Sequence, residues 1–256
     1  MIHIATIHHN SDKFIDIQND YLKKHTTEPY QVYAGLFNCI SNNTTHHYVD
    51  NLKYVRQDHH IRMNHLANVI LKTADDNDLL VFIDGDAFPI MDWIDKVKPL
   101  LQDNKIVAVQ RNEINDTFPH PIFLCTTVGF WRSNKLSWEF HYKSATKNIN
   151  VQTSGPALEA WLDDHNIKWH PVNKTNKIIT HPIFFAVYDF IYHHGAGFRE
   201  MLTTVDYDRN GWVYPTRFPD SYSVAKINKE YSDFFYDKIK NDMEFIRYYF
   251  IGKQFD

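Results

Sequence analysis

The sequence predicts one α/β domain on a mostly parallel central sheet, and three observations carry that prediction. Strand-like and helix-like stretches alternate over the first ninety residues, the pattern that folds into a parallel sheet flanked by helices. The run LLVFID (79–84) is apolar up to its last residue, as a strand covered on both faces must be. Neither a repeat, a low-complexity tract nor a clear linker divides the 256 residues, a length that suits one large domain.

Taken in order, IHIATI (2–7) is alternating and β-branched enough for a first strand. Asn10, Ser11 and Asp12 then offer helix N-caps before FIDIQNDYLKKH (14–25), where Phe14, Ile17, Tyr21 and Leu22 recur at helical spacing. PYQVYAGLF (29–37) reads as a second strand and 41–58 as polar and irregular. HIRMNHLANVILKTA (60–74) is an amphipathic helix with Met63, Leu66, Ala67, Ile70 and Leu71 on one side. Asp75, Asp76, Asn77 and Asp78 break it, and LLVFID follows. A helix from Trp93 to Leu101 and strands over 105–111 and 123–131 come next. PALEAWLDDH (156–165) is a helix opened by proline in its first turn. Residues 167–172 and 182–194 supply further strands, and from Ser221 the chain is a helical, aromatic-rich tail. The tetrapeptide HPIF stands at 120–123 and again at 181–184, as two similar strand starts.

Composition narrows the function classes. Hydrophobic residues make up 43% and charged residues 23%, the profile of a globular chain with a substantial core. A formal net charge of −4 provides no basic field for a nucleic-acid backbone, so no nucleic-acid partner is expected. No apolar run reaches the ~18 residues a membrane helix needs. The stretch MIHIATIHHNSDK has neither the basic start nor the long apolar core of a signal peptide. Cys39 and Cys125 are read as thiols rather than a disulfide, so the expected location is cytoplasmic. Aromatics reach 15%, with 16 His, a supply that suits stacking on sugar rings or bases as well as a core.

The chemistry concentrates where FIDGDAF (82–88) sets Asp84 and Asp86 two positions apart. Residues i and i+2 of a strand point to the same side, so both carboxylates can converge just past the strand end. Gly85 between them keeps the backbone slim for a ligand's close approach. Like charges that near repel, and a hard divalent cation with oxygen ligands is the simplest neutraliser. Two aspartates alone hold Mg²⁺ or Mn²⁺ weakly, which leaves room for other ligands, including a phosphate-bearing substrate. Without a ligand the pair would merely cap the turn before Pro89. Ligands of parallel sheets gather at the carboxyl ends of strands. Both Asp84–Asp86 and the Thr6–His9 segment fall there.

The Asp84-Gly85-Asp86 triplet after a buried strand resembles the DxD motif of GT-A fold, nucleotide-sugar-dependent glycosyltransferases. The resemblance implies a Rossmann-like sheet, a nucleotide-binding half (1–110), an acceptor and catalytic half (111–200) and a C-terminal helical extension (201–256). It implies Mn²⁺ or Mg²⁺ as cofactor, held by Asp86 directly, with Asp84 on the ribose or a metal-bound water. A late histidine commonly completes the metal site. FIYHHGAGFR (190–199) offers His194, with His193 in reserve, and Arg199 to meet phosphate oxygens beside Gly195 and Gly197. DHHIRMNHLANVI (58–70) is similar to the helix start that lines the donor pocket in these enzymes, here through His60, Arg62 and Asn64. Thr6 and His8 match the base-contacting position after the first strand. The implied partners are a nucleotide-sugar donor, most often a UDP-sugar in this fold, and a glycan or other hydroxyl acceptor. The matches run over residues 1–200.

An inverting member needs a general base on the acceptor hydroxyl. Glu159 and Asp163 stand at i and i+4 on the expected helix and share a face; the same pair equally reads as a solvated face. Relatives carry an Asp near the Gly155-Pro156 position, where this chain has Thr153 and Ser154. A retaining mechanism needs no such base. Trp131 and Trp161 could stack on acceptor sugars or sit in the core. Two other readings compete. A haloacid-dehalogenase-like phosphatase would use Asp84 as nucleophile, but it wants Thr or Val where Phe88 stands. A non-catalytic nucleotide- or carbohydrate-binding module would bind the donor and leave it intact. Dinucleotide and P-loop readings lack their glycine patterns.

Overall fold

The computed structural model describes residues 1–39, 46–51, 59–138, 142–143, 150–151, 154–179, 181, 183–195, 203–210 and 220–252. Its strands are β1 (Ile2–His9), β2 (Tyr30–Phe37), β3 (Tyr48–Asn51), β4 (Leu79–Asp84), β5 (Ala87–Pro89), β6 (Ile106–Arg111), β7 (Asp116–Thr127), β8 (Tyr142–Lys143), β9 (Asn150–Val151), β10 (Trp169–Val172), β11 (Ala186–Tyr188) and β12 (Ile191–His193). Its α-helices are α1 (Ile15–His25), α2 (His59–Ile70), α3 (Ile94–Asp103), α4 (Val128–Ser133), α5 (Ser154–Asp164), α6 (Thr204–Asn210) and α7 (Ser221–Asn241).

Seven strands form the central sheet in the order β10-β6-β7-β4-β1-β2-β3. All its neighbours pair parallel except β7, which runs antiparallel to both β4 and β6. The expected mostly parallel α/β architecture is the one observed. β1 lies between β2 and β4, and helices cover its side chains on both faces. Ile2, Ile4, Val81 and Ile83 pack on one face with Leu22 of α1 and Ile94 and Val97 of α3. Ala5, Ile7, Leu80 and Phe82 pack on the other with Met63, Leu66 and Ile70 of α2. Leu80, Val81, Phe82 and Ile83 are at most 1% exposed, and burial at that level contributes about 1.5–3 kcal/mol for each large side chain.

A second, three-stranded sheet, β11-β12-β5, grows from the end of β4. Its Phe88, Val187 and Tyr192 pack with Phe14, Ile17 and Tyr21 at α1 and with Phe235 and Ile239 of α7. The aromatic tail therefore packs over the small sheet. Asp220 caps α7, its Oδ1 accepting from Ser223 N at 2.8 Å.

Several local expectations shift. α1 begins at Ile15 with Phe14 as N-cap and no side-chain cap bond, so Asn10, Ser11 and Asp12 do not cap it. The polar stretch 41–58 contains β3. The strand expected over 123–131 starts earlier, at Asp116, and stops at Thr127. There the Thr127 hydroxyl accepts from Phe130 N at 3.2 Å and starts α4, which turns Trp131 into the core. The repeated HPIF holds one local device. His120 Nδ1 accepts from Ile122 N at 3.2 Å, and His181 Nδ1 accepts from Ile183 N and Phe184 N at 3.2 and 3.1 Å.

Candidate metal and donor site

At the end of β4 the chain turns through Gly85 and Asp86 into β5. β5 pairs with β12 so that Ala87 faces His193, and His194 N donates to Asp86 O at 3.0 Å. This pairing carries His193 to the two carboxylates. Its Nε2 lies 3.5 Å from Asp86 Oδ1 and 3.9 Å from Asp84 Oδ2. Ligand atoms of Asp84, Asp86 and His193 all fall within 4.8 Å of one another. From the α1 side, buried Gln18 donates its Nε2 to Asp84 O at 2.8 Å and Ala87 O at 2.7 Å, clamping both ends of the turn. A Cβ on Gly85 would stand 2.2 Å from Ile7 O and 2.9 Å from His8 Nδ1. The slim backbone there is demanded by β1 rather than by a ligand.

The corner is acidic and ringed by imidazoles. Asp86 is 3% exposed, and Asp84 Oδ1 is buried without a hydrogen bond. His59 Nε2, at the head of α2, lies 3.2 Å from that oxygen, near enough for ion pairing but off hydrogen-bond alignment. Burial, then the charge of His46, lowers the His8 pKa to about 4 against the pull of Asp86. His120 is pushed well below its ordinary value by burial and then by Arg111, His193 and His59. With their pKa values lowered, His8 and His120 add no fixed positive charge to the corner. The donor set of two carboxylates and one imidazole, with an orphaned buried carboxylate oxygen, fits a hard or borderline divalent cation.

A small depression, open to solvent, adjoins Asp86, lined by Ile7, His8, His9, Ser11, Phe14 and Gly85. At its rim the His9 ring stacks on Phe37 with centroids 4.8 Å apart. The Arg62 guanidinium lies 4.1 Å from the centroid of the same Phe37 ring.

The structure brings together Asp84, Gly85, Asp86, His8 and His193, and sets Arg62 close by. The order of the two late histidines is reversed. His194 is 1% exposed and turned inward, Nε2 to Ser232 Oγ at 2.9 Å and Nδ1 to Tyr192 OH at 3.1 Å. Strand alternation sends only one of two neighbours to each face, and the inward place is taken by His194. Its pKa is lowered to about 3, first by burial. Thr6 lies inside the sheet between Ala34 and Ile83, fully buried, so it does not reach the depression. His60 and Asn64 stand half-buried on α2. Trp131 is 1% exposed and packs on Phe82 and Trp138, which removes it as a sugar platform. Trp161, 7% exposed, stacks on His165 in the cluster beneath α5. Glu159 accepts from Thr117 Oγ1 at 3.5 Å, and Asp163 is exposed one turn further along α5. Arg199, Gly197 and Thr153 lie outside the described residues.

Sequence reasoning missed His59, Gln18, His9 and His120. The pair His59-His60 signalled a basic helix start but not which member faces the strand end. Gln18 left no signal, being one polar residue on an amphipathic helix.

The fold and site together define an α/β chain with an acidic, imidazole-bearing corner at the carboxyl edge of its central strand. No family model and no curated protein matches the sequence. Among solved structures it is similar to S. aureus TarS 1-349, at 14% identity over 54% of this chain and 50% of that one, TM-score 0.39. It is similar to the mannosyltransferase PcManGT from Pyrobaculum calidifontis in complex with GDP-Man and Mn²⁺, at 10% identity over 66% and 54%, TM-score 0.44. A third is the galactosyltransferase LgtC with donor and acceptor sugar analogs, at 12% identity over 87% and 85%, TM-score 0.42. The chain spans about half the length of the first two. Likeness of that extent leaves the functional reading to the chain's own residues.

Proposed function

We propose that this chain is a metal-dependent glycosyltransferase. It moves a hexose from a nucleoside-diphosphate donor, UDP before GDP, to a glycan or other hydroxyl acceptor in the cytosol. The observation that supports it is the Asp84–Asp86–His193 group at the carboxyl edge of a parallel sheet, the edge on which such sheets take ligands. Asp84-Gly85-Asp86 is also the stretch that resembles the DxD motif.

Three protein ligands fill about half the shell that Mn²⁺ or Mg²⁺ takes, leaving positions for diphosphate oxygens. A bound ion would act as a Lewis acid on the charge that builds on the departing diphosphate. The chain's residues do the positioning. Asp84, Asp86 (held by the His194 backbone) and His193 would hold that ion, with Asp84 also within reach of the ribose or a metal-bound water. The nucleoside docks over the depression beside Asp86, with the His9–Phe37 stack as a flat rim and buried Arg62 packed against Phe37. Residues 1–110 then form the donor half and 111–200 the acceptor half. Arg199 meets the leaving phosphate. Glu159, half-buried beside Thr117, is favoured over exposed Asp163 as base of an inverting reaction.

Calorimetric titration of UDP and GDP, with and without Mn²⁺, tests the reading. UDP should bind only with Mn²⁺, and Asp86→Ala should abolish that binding; undiminished Mn²⁺-dependent binding by the variant would refute the assignment.

A further inference from the structure

The C-terminal helix reaches the back of the candidate metal corner through a buried polar contact to His194. Ser232 on α7 is 9% exposed and His194 is 1% exposed. Ser232 Oγ lies 2.9 Å from His194 Nε2, and Tyr192 OH lies 3.1 Å from Nδ1. A neutral imidazole has one donor and one acceptor nitrogen, so two hydroxyls, each able to donate or accept, satisfy it completely. The ring is wedged as well as bonded. Phe14 and Phe185 pack on it with centroids at 4.7 and 5.0 Å. The His194 backbone is tied on both sides, its N–H donating to Asp86 O at 3.0 Å and its carbonyl accepting from Phe185 N at 3.0 Å.

We propose that Ser232 is a positioning residue of the metal site, acting through His194. This rests on reading Asp84, Asp86 and His193 as metal ligands. With the His194 ring locked inward, alternation along β12 turns His193 toward the carboxylates, and the His194 N–H fixes the Asp86 backbone. α7 is then the rear wall of the site and not an appended tail. Outer partners that orient a metal ligand commonly change metal affinity by roughly 10–100-fold when removed. Acting one residue away, the Ser232 hydroxyl should matter somewhat less.

The experiment is Mn²⁺ titration of the full chain followed by electron paramagnetic resonance, for the wild type, Ser232→Ala, Ser232→Thr, Ile239→Val and Asp86→Ala. Ile239 is a buried α7 residue without polar contact to the site, so its variant reports mere loosening of the helix. The proposal expects Mn²⁺ affinity about 5- to 10-fold weaker and a broadened spectrum in Ser232→Ala. Recovery in Ser232→Thr and wild-type affinity in Ile239→Val complete the expected result. If Ser232→Ala matches Ile239→Val in affinity and spectrum while Asp86→Ala abolishes binding, the positioning role is overturned and the metal reading stands. If the wild type binds no Mn²⁺, both fall together.

Discussion

β4 and β12 deliver residues to the same corner by opposite means. β4 is a central strand with helices on both faces, so its composition leaves no choice. Leu79 to Ile83 are buried, and Asp84, the first residue to leave that cover, is the first that can be charged. β12 has three residues, at the middle of a small sheet, and two identical side chains follow one another at its end, His193 within it and His194 just past it. Composition cannot tell them apart; packing does. His194 meets Ser232, 38 positions further along the chain, and His193 is left to face the acids. Where a strand's surroundings are uniform, a site residue shows in the sequence itself. Where they are two-sided, it depends on what covers the back.

The sharpest way to break that contrast is Gly85→Ala. The added Cβ would stand 2.2 Å from a backbone carbonyl of β1, an atom that cannot swing aside, in a sheet packed to crystalline density. Overpacking costs typically 1–3 kcal/mol, occasionally more, and this site belongs to the upper end. A fall in Tm of roughly 6–12 °C is expected for a chain of this size, together with lost Mn²⁺ binding. A variant that melts with the wild type would show that β1 does not confine the turn.

His193→Ala separates the two strands' contributions. His193 is a side chain without a core role, so Tm should stay within about 2 °C. Mn²⁺ affinity should fall by at least the roughly 10–100-fold seen when an outer partner of a metal ligand is lost. Glu159→Gln, on the α5 side, should leave Mn²⁺ affinity unchanged. Equal effects in the two variants would mean that the corner and the α5 wall are one site.

The parallel core and the helix over 60–70 were legible because burial, on both faces of a strand or along one stripe of a helix, restricts residue type over a whole segment, and the acidic triplet because it ends such a run. The extent of β7 was not. Its first residues project beyond the end of β4's ladder at Phe123 and carry no apolar run, and Thr127 ends it by capping, an event of one side chain. Trp131 was open to a surface reading for the same reason, since only the turn into α4 sends it against Phe82. Gln18 could not be read at all, because a buried amide is fixed by two carbonyls 66 and 69 residues away.

The smallest effect tests burial away from the corner. His25, the last residue of α1, is 8% exposed, and its Nε2 has no hydrogen-bond partner. Burial, then the charge of Lys24, lowers its pKa from 6.5 to about 4. The folded chain therefore refuses a proton that the unfolded chain accepts once pH drops below about 6.5. Stability is full above that pH, declines as pH falls toward 4, and levels off below it, a loss of up to about 3 kcal/mol. His25→Phe removes the titration while keeping a ring beside Tyr21. Urea denaturation should find the two proteins within about 1 kcal/mol at pH 7.5. At pH 4.5 the variant should have gained about 2 kcal/mol on the wild type. A gap that stays constant with pH would mean that water reaches this imidazole, and that burial is less complete at the end of α1 than at His194.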